Sequence, residues 1–370
     1  MTTPRKVTQS DVARAAKVSQ GVVSCVLSGR SSDTLSVGDE TRRRVLAVAN
    51  ELGYRVRSSV RREDSAAASR KQVLLVTPAP HRGASSAVKD SAVSVSYRSF
   101  MEHSVTEIGA HLSEHGVGLS IHQLTSEKGL MQWLTESDVC AVIWHTSVGD
   151  GSLLGWVAAR YPLVVVNQAG QSTQLLDGVS INQALNVRLP MDHLWESGHR
   201  KIAYFGQVPG NLVFEERLSA YRGFVCAKNI HNYEEFQAIP DEQLRPAAEK
   251  VQMILDTWES LGEGAPTAIV LGDVFALLLL GAAQARGIRI PEDLSVVGID
   301  NVDACDYVSP RLTSVAQCFP ALCESVVERL MRRIQNPDSP TQFVAIAPYL
   351  VERDSVRKFS QSEVEAIIDN

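Results

Sequence analysis

The stretch VTQSDVARAAKVSQGVVSCVLSG, residues 7–29, predicts two short helices joined by a tight turn. Apolar residues recur at helical spacing in both halves, which gives each helix a face to pack against the other. Thr8 is placed to cap the first helix, with Asp11 as a variant of the capping box, and Ser19 is placed to cap the second. Gly29 then ends the second helix. The pattern is that of a helix-turn-helix, which places one helix in the DNA major groove.

A third helical pattern runs from Asp39 to Leu52 and completes a small all-α head. Residues 1–62 carry 12 Lys and Arg against 5 Asp and Glu, whereas the whole chain has a formal net charge of −6. A basic head on an acidic body is typical of nucleic-acid binding. The alternative is a three-helix piece of a larger fold with a solvated basic face.

Beyond a polar linker at residues 57–72, short apolar strands alternate with helices. Strands rich in Val, Ile and Leu that alternate with helices indicate parallel sheets covered on both faces. Two such series in the remaining chain predict an α/β body with two doubly wound parallel-sheet subdomains. The predicted strands are Val73–Val76, Val117–His122, Ala141–Trp144, Leu163–Val166, Ile202–Phe205, Ala268–Leu271 and Ser295–Ile299.

Composition and motifs exclude several classes of protein. The chain lacks a long apolar run and a signal-peptide core, so we expect neither a membrane span nor export. The six cysteines form no CxxC pair, which favours reduced thiols in a cytoplasmic protein without a bound metal. The sequence contains no GxSxG, GxxxxGK[ST], HExxH or strand-linked GxGxxG pattern. We therefore expect no enzyme activity and no cofactor.

Polar residues that follow predicted strands are the candidate ligand-binding positions. In open α/β sheets, ligands bind outside the carboxyl ends of the strands. Asn167, Gly272-Asp273 and Asp300-Asn301 hold such positions, and Arg217 opens a helix in the same half. The alternatives are structural: Asp273 is expected to cap the helix that follows it, and an Arg at a helix start is usually solvated.

The chain resembles the lactose-repressor (LacI/GalR) family of bacterial transcription regulators along nearly its whole length. In the head, the family pattern is matched at Val7, Thr8, Asp11, Val12, Ala13, Ala16, Val18, Ser19, Val23, Ser24, Val26, Leu27 and Gly29, and again at Thr41-Arg42, Val45, Ala49 and Leu52-Gly53-Tyr54. In the body the matching motifs are ESGHRKIA (196–203), PTAI (266–269), GIRIPEDLSVVGID (287–300), PRLTSVAQ (310–317) and LVERDS (350–355).

The resemblance implies a homodimer whose two heads bind double-stranded operator DNA of approximate two-fold symmetry. It also implies a small effector, carbohydrate-like or a nucleobase, in a cleft between the subdomains, whose binding changes operator affinity. The implied domains are a DNA-binding domain at 1–56, a hinge at 57–72 and an effector domain at 73–370. Its N-subdomain covers about 73–181 and 319–341, and its C-subdomain about 182–318 and 342–357. The implied DNA contacts are Thr8, Ser19, Gln20, Gly21, Val22, Ser24, Cys25, Ser28 and Tyr54, and the implied effector contacts are Phe100, Asn167, Arg217, Gly272 and Asp300.

The sequence departs from the family at its contact surfaces. Cys25 replaces the usual Arg, which removes one charge-assisted contact to DNA. Glu63 replaces the apolar Leu of the hinge, and a carboxylate cannot wedge between base pairs in the minor groove. In the body Gly272 replaces an Asn, and residues 79–96 are expected to be an insertion poor in structure. We therefore hypothesise that this protein does not kink the centre of its operator.

Two alternatives to a ligand-responsive repressor stay open at this point. One is a soluble small-molecule-binding protein without a regulatory role, since such proteins share the two-subdomain body. The other is a regulator with a degenerate effector pocket, in line with the departures at the pocket positions.

Overall fold

The computed structural model describes residues 7–28, 37–52, 54, 72–78, 92–145, 151–167, 176–206, 212–237 and 246–368. The chain forms two compact units. The first unit comprises residues 1–80, 108–179 and 324–344, and the second comprises 81–107, 180–323 and 345–370.

The helices and strands alternate through most of the chain. The N-terminal half of the chain contains α1 Gln9–Ala16, α2 Gln20–Ser28, α3 Asp39–Glu51, β1 Gln72–Pro78, α4 Ala92–Glu114, β2 Gly118–Leu124, α5 Glu127–Glu136, β3 Val139–Trp144, α6 Gly151–Ala158, β4 Leu163–Val166 and β5 Asp177–Ile181. The chain continues with α7 Gln183–Glu196, β6 Ile202–Tyr204, α8 Leu212–Lys228, α9 Glu234–Gln237, α10 Ala247–Leu261, β7 Ala268–Val270, α11 Asp273–Ala285, β8 Ser295–Asp300, β9 Thr313–Ala316, α12 Phe319–Gln335, β10 Phe343–Ile346, β11 Tyr349–Val351 and α13 Gln361–Ile368.

The first three helices form the all-α head and pack against one another. Val12 and Ala16 of α1, Val26 of α2 and Val45 of α3 are all buried. Alanine at position 16 lets the helices approach closely, as the apolar spacing predicts. Lys17 takes a left-handed conformation (φ 54°) and ends α1, which makes room for the turn into α2.

The first unit contains a six-stranded sheet in the order β10-β5-β4-β3-β1-β2. The pairs β1–β2, β1–β3, β3–β4 and β4–β5 are all parallel. Buried Val, Ile and Leu side chains fill both faces of β1, β3 and β4, as the continuous apolar runs predict.

An ion pair between Asp177 and Arg333 joins strand β5 of this sheet to α12. Both side chains are almost fully buried, at 2% and 4% exposure. The Arg333 guanidinium also donates to the carbonyl oxygens of Pro337 and Ser339, and Asp177 Oδ1 accepts from the Gln342 amide at 2.9 Å. The two buried charges are thus held by several hydrogen bonds besides their own contact, which is the condition under which burial of a pair is tolerated.

The second unit contains a five-stranded sheet in the order β11-β9-β8-β7-β6. Strands β6 to β9 run parallel, and β11 pairs with β9 in the antiparallel sense. The two parallel sheets confirm the α/β body with doubly wound subdomains. Because β6, β7 and β8 are parallel neighbours, the residues that follow them lie along one edge of the sheet.

Several sequence expectations differ from the structure. Strands β5, β9, β10 and β11 are additional to the predicted ones, and each has three to five residues. Residues 92–96, expected to lack structure, begin helix α4. Residues 81–107 group with the second unit rather than with the expected N-subdomain, and the head groups with the first unit.

Candidate nucleic-acid interface and ligand site

The N-terminus of α1 is closed by a capping box. The Asp11 amide donates to Thr8 Oγ1 at 3.4 Å, and the Thr8 amide donates to Asp11 Oδ2 at 2.9 Å. Two amides that a helix start leaves unpaired are satisfied in this way. The expected cap at Thr8 is therefore present, with Asp in the place that Glu usually takes. A rigid first helix is the support on which α2 is presented.

Helix α2 begins with a cap from Ser19, whose Oγ accepts from the Val22 amide at 3.3 Å. Its apolar residues Val23 and Val26 face the core, while Gln20 and Ser24 are exposed. Ser10 Oγ of α1 lies 3.4 Å from Gln20 Oε1 and ties the start of α2 to the preceding helix. Hydroxyl and amide groups of this kind donate and accept hydrogen bonds with base edges and phosphates.

The positions implied as DNA contacts lie on α2 or at its start, apart from Thr8, which caps α1, and Tyr54, which follows α3. Thr8, Ser19, Gln20, Gly21 and Ser24 are exposed, and Val22, Cys25 and Tyr54 are half-buried. For Ser28, at the end of α2, the side chain lies outside the described residues. None of these assignments is tested by contact with DNA, and they stay predictions.

Basic side chains flank this surface. Arg14 is 78% exposed and lies 3.6 Å from Asp11 in an i, i+3 pair, and Lys17 and Arg43 are exposed. Arg44 Nε donates to the Ala16 carbonyl at 3.1 Å, so α3 holds the end of α1 in place. A polar helix face among cations is suited to a polyanion with readable edges.

In the second unit, three of the implied effector positions follow neighbouring strands of the five-stranded sheet. Arg217 lies in α8, which follows β6; Gly272 follows β7; and Asp300 ends β8. The parallel pairing of β7 and β8 brings Gly272 and Asp300 to the same end of this sheet. Arg217 lies further along the chain from its strand, β6, inside α8. Asn167 lies in the first unit, at the end of β4, with φ 49°. The side chain of Phe100, in α4, lies outside the described residues.

Arg217 is buried, at 8% exposure, rather than solvated as the alternative would have it. Its Nε donates to Gln183 Oε1 at 2.8 Å, and the same oxygen accepts from Asn186 Nδ2 at 2.9 Å. Asn186 Oδ1 is buried and has no hydrogen-bond partner within the described part of the chain. A guanidinium has five N–H donors and this bond uses one, so the cluster holds a cation and an orphaned acceptor close together.

Asp300 has an unusual backbone, with φ 122°, at the end of β8. Gln317 Nε2 donates to its Oδ1 in a short hydrogen bond. The second carboxylate at this end of the sheet, Asp273, is fully buried, and burial together with the nearby charge of Asp300 raises its pKa to about 6.

The expectation that Asp273 caps the following helix is wrong. Gly272 is the N-cap of α11 and makes no side-chain cap. The Asp273 carboxylate instead accepts from Ser314 Oγ at 2.6 Å, from the Val302 amide at 2.9 Å and from Cys305 Sγ at 3.3 Å. These donors converge from β9 and the turn after β8, and they outcompete the local amides of the helix. Asp273 therefore braces the loop that carries Asp300.

Sequence reasoning missed Gln183, Asn186 and Gln317. Gln183 and Asn186 lie at the start of α7, directly after β5, and the missed strand is the reason that they were missed. Had Asp177–Ile181 been recognised as a strand, the rule for strand ends would have pointed to them. Gln317 likewise follows the missed β9.

A capped helix-turn-helix followed by α/β units with parallel sheets defines a class of protein: a DNA-binding regulator whose second domain has a fold typical of ligand-binding proteins. Residues 8–56 match the family of bacterial regulatory proteins, lacI family, and residues 191–356 match the periplasmic binding protein-like domain. The chain belongs to the lacI family, and it is a DNA-binding transcriptional regulator rather than an enzyme.

Similar proteins span almost the same length. The HTH-type transcriptional repressor PurR of Yersinia pestis bv. Antiqua is 29% identical, with 94% of this chain and 96% of that protein covered. The ribose operon repressor of Haemophilus influenzae is 27% identical, with 94% and 98% covered. Two solved structures share the fold: a transcriptional regulator CelR–cellobiose complex (23% identity, TM-score 0.63) and the lac repressor dimer bound to operator and the anti-inducer ONPF (22% identity, TM-score 0.60). Each covers 95% of this chain and is itself covered completely.

The described residues contain no helix long and apolar enough to cross a membrane. No group of three His, Cys, Asp or Glu among them is placed to hold a metal ion.

Proposed function

We propose that this chain is a transcriptional repressor that acts in the cytoplasm as a homodimer and whose operator affinity is set by a small carbohydrate-like effector. The observation that carries the proposal is the pairing of two surfaces on one chain. One is the exposed polar face of α2 on a basic head. The other is the set of polar groups in the second unit that includes the buried Arg217 of α8 and Asp300 at the end of β8.

The head supports recognition of double-stranded DNA in the major groove. The cap at Ser19 and the buried Val23 and Val26 fix α2 with Gln20 and Ser24 outward. A Gln side chain can form two hydrogen bonds with adenine, and a Ser hydroxyl can hydrogen-bond with base edges or phosphates. Two copies of the head in a homodimer would bind two half-sites related by approximate two-fold symmetry.

This set of polar groups in the second unit supports binding of a polyhydroxylated ligand. Arg217 offers a planar fork of donors, held from one side by Gln183, and Asp300 offers carboxylate oxygens that accept from paired hydroxyls. A set with both donors and acceptors suits a neutral sugar better than a ligand of a single charge. The cellobiose bound to CelR and the ribose bound to a lacI-family regulator of Enterococcus faecium are ligands of this chemistry.

Selection of DNA fragments from the host genome by the full-length chain tests the DNA-binding part. We expect enrichment of a site with two inverted half-sites, bound less tightly as salt rises. Footprinting should show protection centred on the dyad, and sedimentation should show a dimer. Absence of any enriched sequence would contradict the repressor and favour a ligand-binding protein without a regulatory role.

A thermal-shift screen of mono- and disaccharides and nucleobases tests the effector part. Loss of charge-assisted bonds in Arg217→Ala should weaken binding of an active ligand by about 30-fold, with operator affinity in the absence of ligand unchanged. Arg188→Ala is the matched control, because Arg188 is half-exposed on α7 and pairs with Asp192. If the full screen gives no shift with the wild-type chain, the pocket is degenerate and the effector part of the proposal fails.

A further inference from the structure

Helix α6 of the body packs against helix α3 of the head, within the first unit. Leu153, Trp156 and Val157 of α6 are at most 2% exposed, and they belong to the same apolar cluster as Val45 and Leu46 of α3. The head and the body therefore share one core at this contact instead of being joined by the linker alone. Apolar burial of this kind favours the docked arrangement.

Arg160 of the body forms a hydrogen bond with the C-terminal end of α2. Its Nη2 donates to the Val26 carbonyl oxygen at 3.2 Å, and its Nη1 donates to the Trp156 carbonyl at 3.1 Å. Its guanidinium carbon lies 4.2 Å from the centre of the Trp156 ring. Val26 is in the last turn of α2, whose carbonyls lack partners within the helix, and a cation is favoured at that end of a helix.

This contact leaves the polar face of α2, the proposed DNA-binding surface, exposed. Ser19, Gln20, Gly21 and Ser24 stay exposed while the other end of α2 is held by Arg160. The docked head therefore presents its polar face rather than hiding it. Docking is compatible with DNA binding, and it is not an autoinhibitory cover.

Two features oppose the docked arrangement. Among the described residues the buried Trp156 Nε1–H has no hydrogen-bond partner, which is a cost that release of the head removes. Burial, together with the like charge of Arg42 on α3, lowers the pKa of Arg160 to about 10, although Tyr161 acts in the opposite direction. Phosphates near the head would screen the repulsion between Arg42 and Arg160, so DNA binding and docking should favour each other.

We propose that α6 is the docking platform of the DNA-binding head and that Arg160 is a positioning residue that sets the orientation of α2 for DNA. The orientation of the head then depends on a direct contact with the body. The proposal has two parts. Its claim about DNA binding, the DNA arm, rests on the proposed function. Its claim that α6 holds the head, the docking arm, is independent of that function.

Hydrogen exchange of the full-length chain without DNA tests the docking arm. Arg160→Ala removes one charge-assisted bond, so we expect amides of α2 and α3 to exchange about tenfold faster. Arg160→Lys, which keeps a donor to Val26 but not the planar stacking, should lie between. Arg42→Gln, which removes the repulsion, should slow exchange. Unchanged exchange of α2 and α3 in Arg160→Ala, with Arg188→Ala as the charge-loss control, would overturn the proposal.

Binding to a duplex selected from a random library by the wild-type chain tests the DNA arm. Arg160→Ala should bind about fivefold more weakly while its dependence on salt stays unchanged, because Arg160 holds the protein and not a phosphate. A salt slope smaller by about one would show that Arg160 contacts the backbone instead. Equal or tighter binding would also overturn the proposal. If no duplex is selected at all, the proposed function fails, and the exchange data still decide the docking arm.

Discussion

Cys25 lies half-buried on α2, between the exposed Ser24 and the buried Val26. The resemblance places an arginine at this position, where a guanidinium contacts guanine or phosphate. A neutral thiol offers neither charge nor a strong donor. We therefore expect the proposed DNA-reading surface to be less charged at its centre than the family pattern implies.

Cys25→Arg should strengthen binding to the selected duplex and steepen the fall of log K with log salt by about one, as one added phosphate contact does. Cys25→Ser is the control, since it keeps a small polar side chain without charge. Measurement of binding isotherms at several salt concentrations gives the slope. The same slope for both variants would show that position 25 does not approach the DNA backbone.

Gly298 of β8 is required by the buried carboxylate beside it. A Cβ at this position would lie 2.0 Å from Asp273 Oδ1 and 3.0 Å from Ser314 Oγ. Gly298→Ala should therefore lower the free energy of unfolding of the second unit by about 3 kcal/mol. Gly281→Ala on α11 is the control, because nothing lies within 4 Å of its Cβ. We expect that control to be neutral or stabilising by about 1 kcal/mol in urea unfolding.

The Asp273 carboxyl predicts a dependence of stability on pH. Its pKa is raised from 3.8 to about 6 in the folded state, by burial first and by Asp300 second. The folded state therefore holds the proton more tightly, so this stabilisation is present below pH 4 and is lost as pH rises to 6 and above. The stability difference between wild type and Asp273→Asn should shrink by about 2 kcal/mol between pH 4 and pH 7. A constant difference in urea unfolding would contradict this.

At the scale of elements, the caps of the head are the most direct link from sequence to structure. Thr8→Ala should remove about 1 kcal/mol from the local stability of α1, since the Asp11 amide then loses its hydroxyl acceptor. Thr8→Ser keeps the hydroxyl and should stay close to wild type. Hydrogen-exchange protection of the α1 amides measures the effect. Equal loss of protection in both variants would point to the Thr8 methyl group rather than to the cap.

The sequence predicted the long helices and the strongly apolar strands because their periodicity is carried by many residues. Strands β5 and β9 escaped since each has four or five residues and includes polar ones, such as Asp177 and Ser314, that are satisfied only by distant partners. Asp273 was wrongly predicted as a cap because its hydrogen-bond donors are also distant in sequence. Its actual donors come from 29 to 41 residues further along the chain, and local sequence carries no sign of them.

At the scale of the whole molecule, the hinge is the departure with the largest expected consequence for DNA. Glu63 lies outside the described residues, so the prediction rests on its chemistry. The wild-type chain should bind a set of circularly permuted operator fragments with nearly uniform mobility, because a carboxylate does not insert between base pairs. Glu63→Leu should increase the variation in mobility, whereas Glu63→Gln should not. Strong position-dependent mobility with the wild-type chain would contradict the prediction.

The contact between α3 and α6 could not be predicted from the sequence. Leu153 and Trp156 have the spacing of any helix that covers a sheet, and the pattern does not say which neighbour they meet. Their partner lies more than a hundred residues earlier, across a polar linker that suggests independence of the head. Such long-range packing is fixed by the whole fold.

The buried pair of Asp177 and Arg333 restricts how this protein can evolve. Removing either residue alone leaves an uncompensated charge in the interior, which costs about 3–5 kcal/mol, whereas replacing both with apolar residues is often neutral. A lineage can thus leave this arrangement only by changing two codons together, 156 positions apart. Among descendants of this chain, we expect the two positions to be inherited as a unit, even where the surfaces that meet DNA and ligand have diverged.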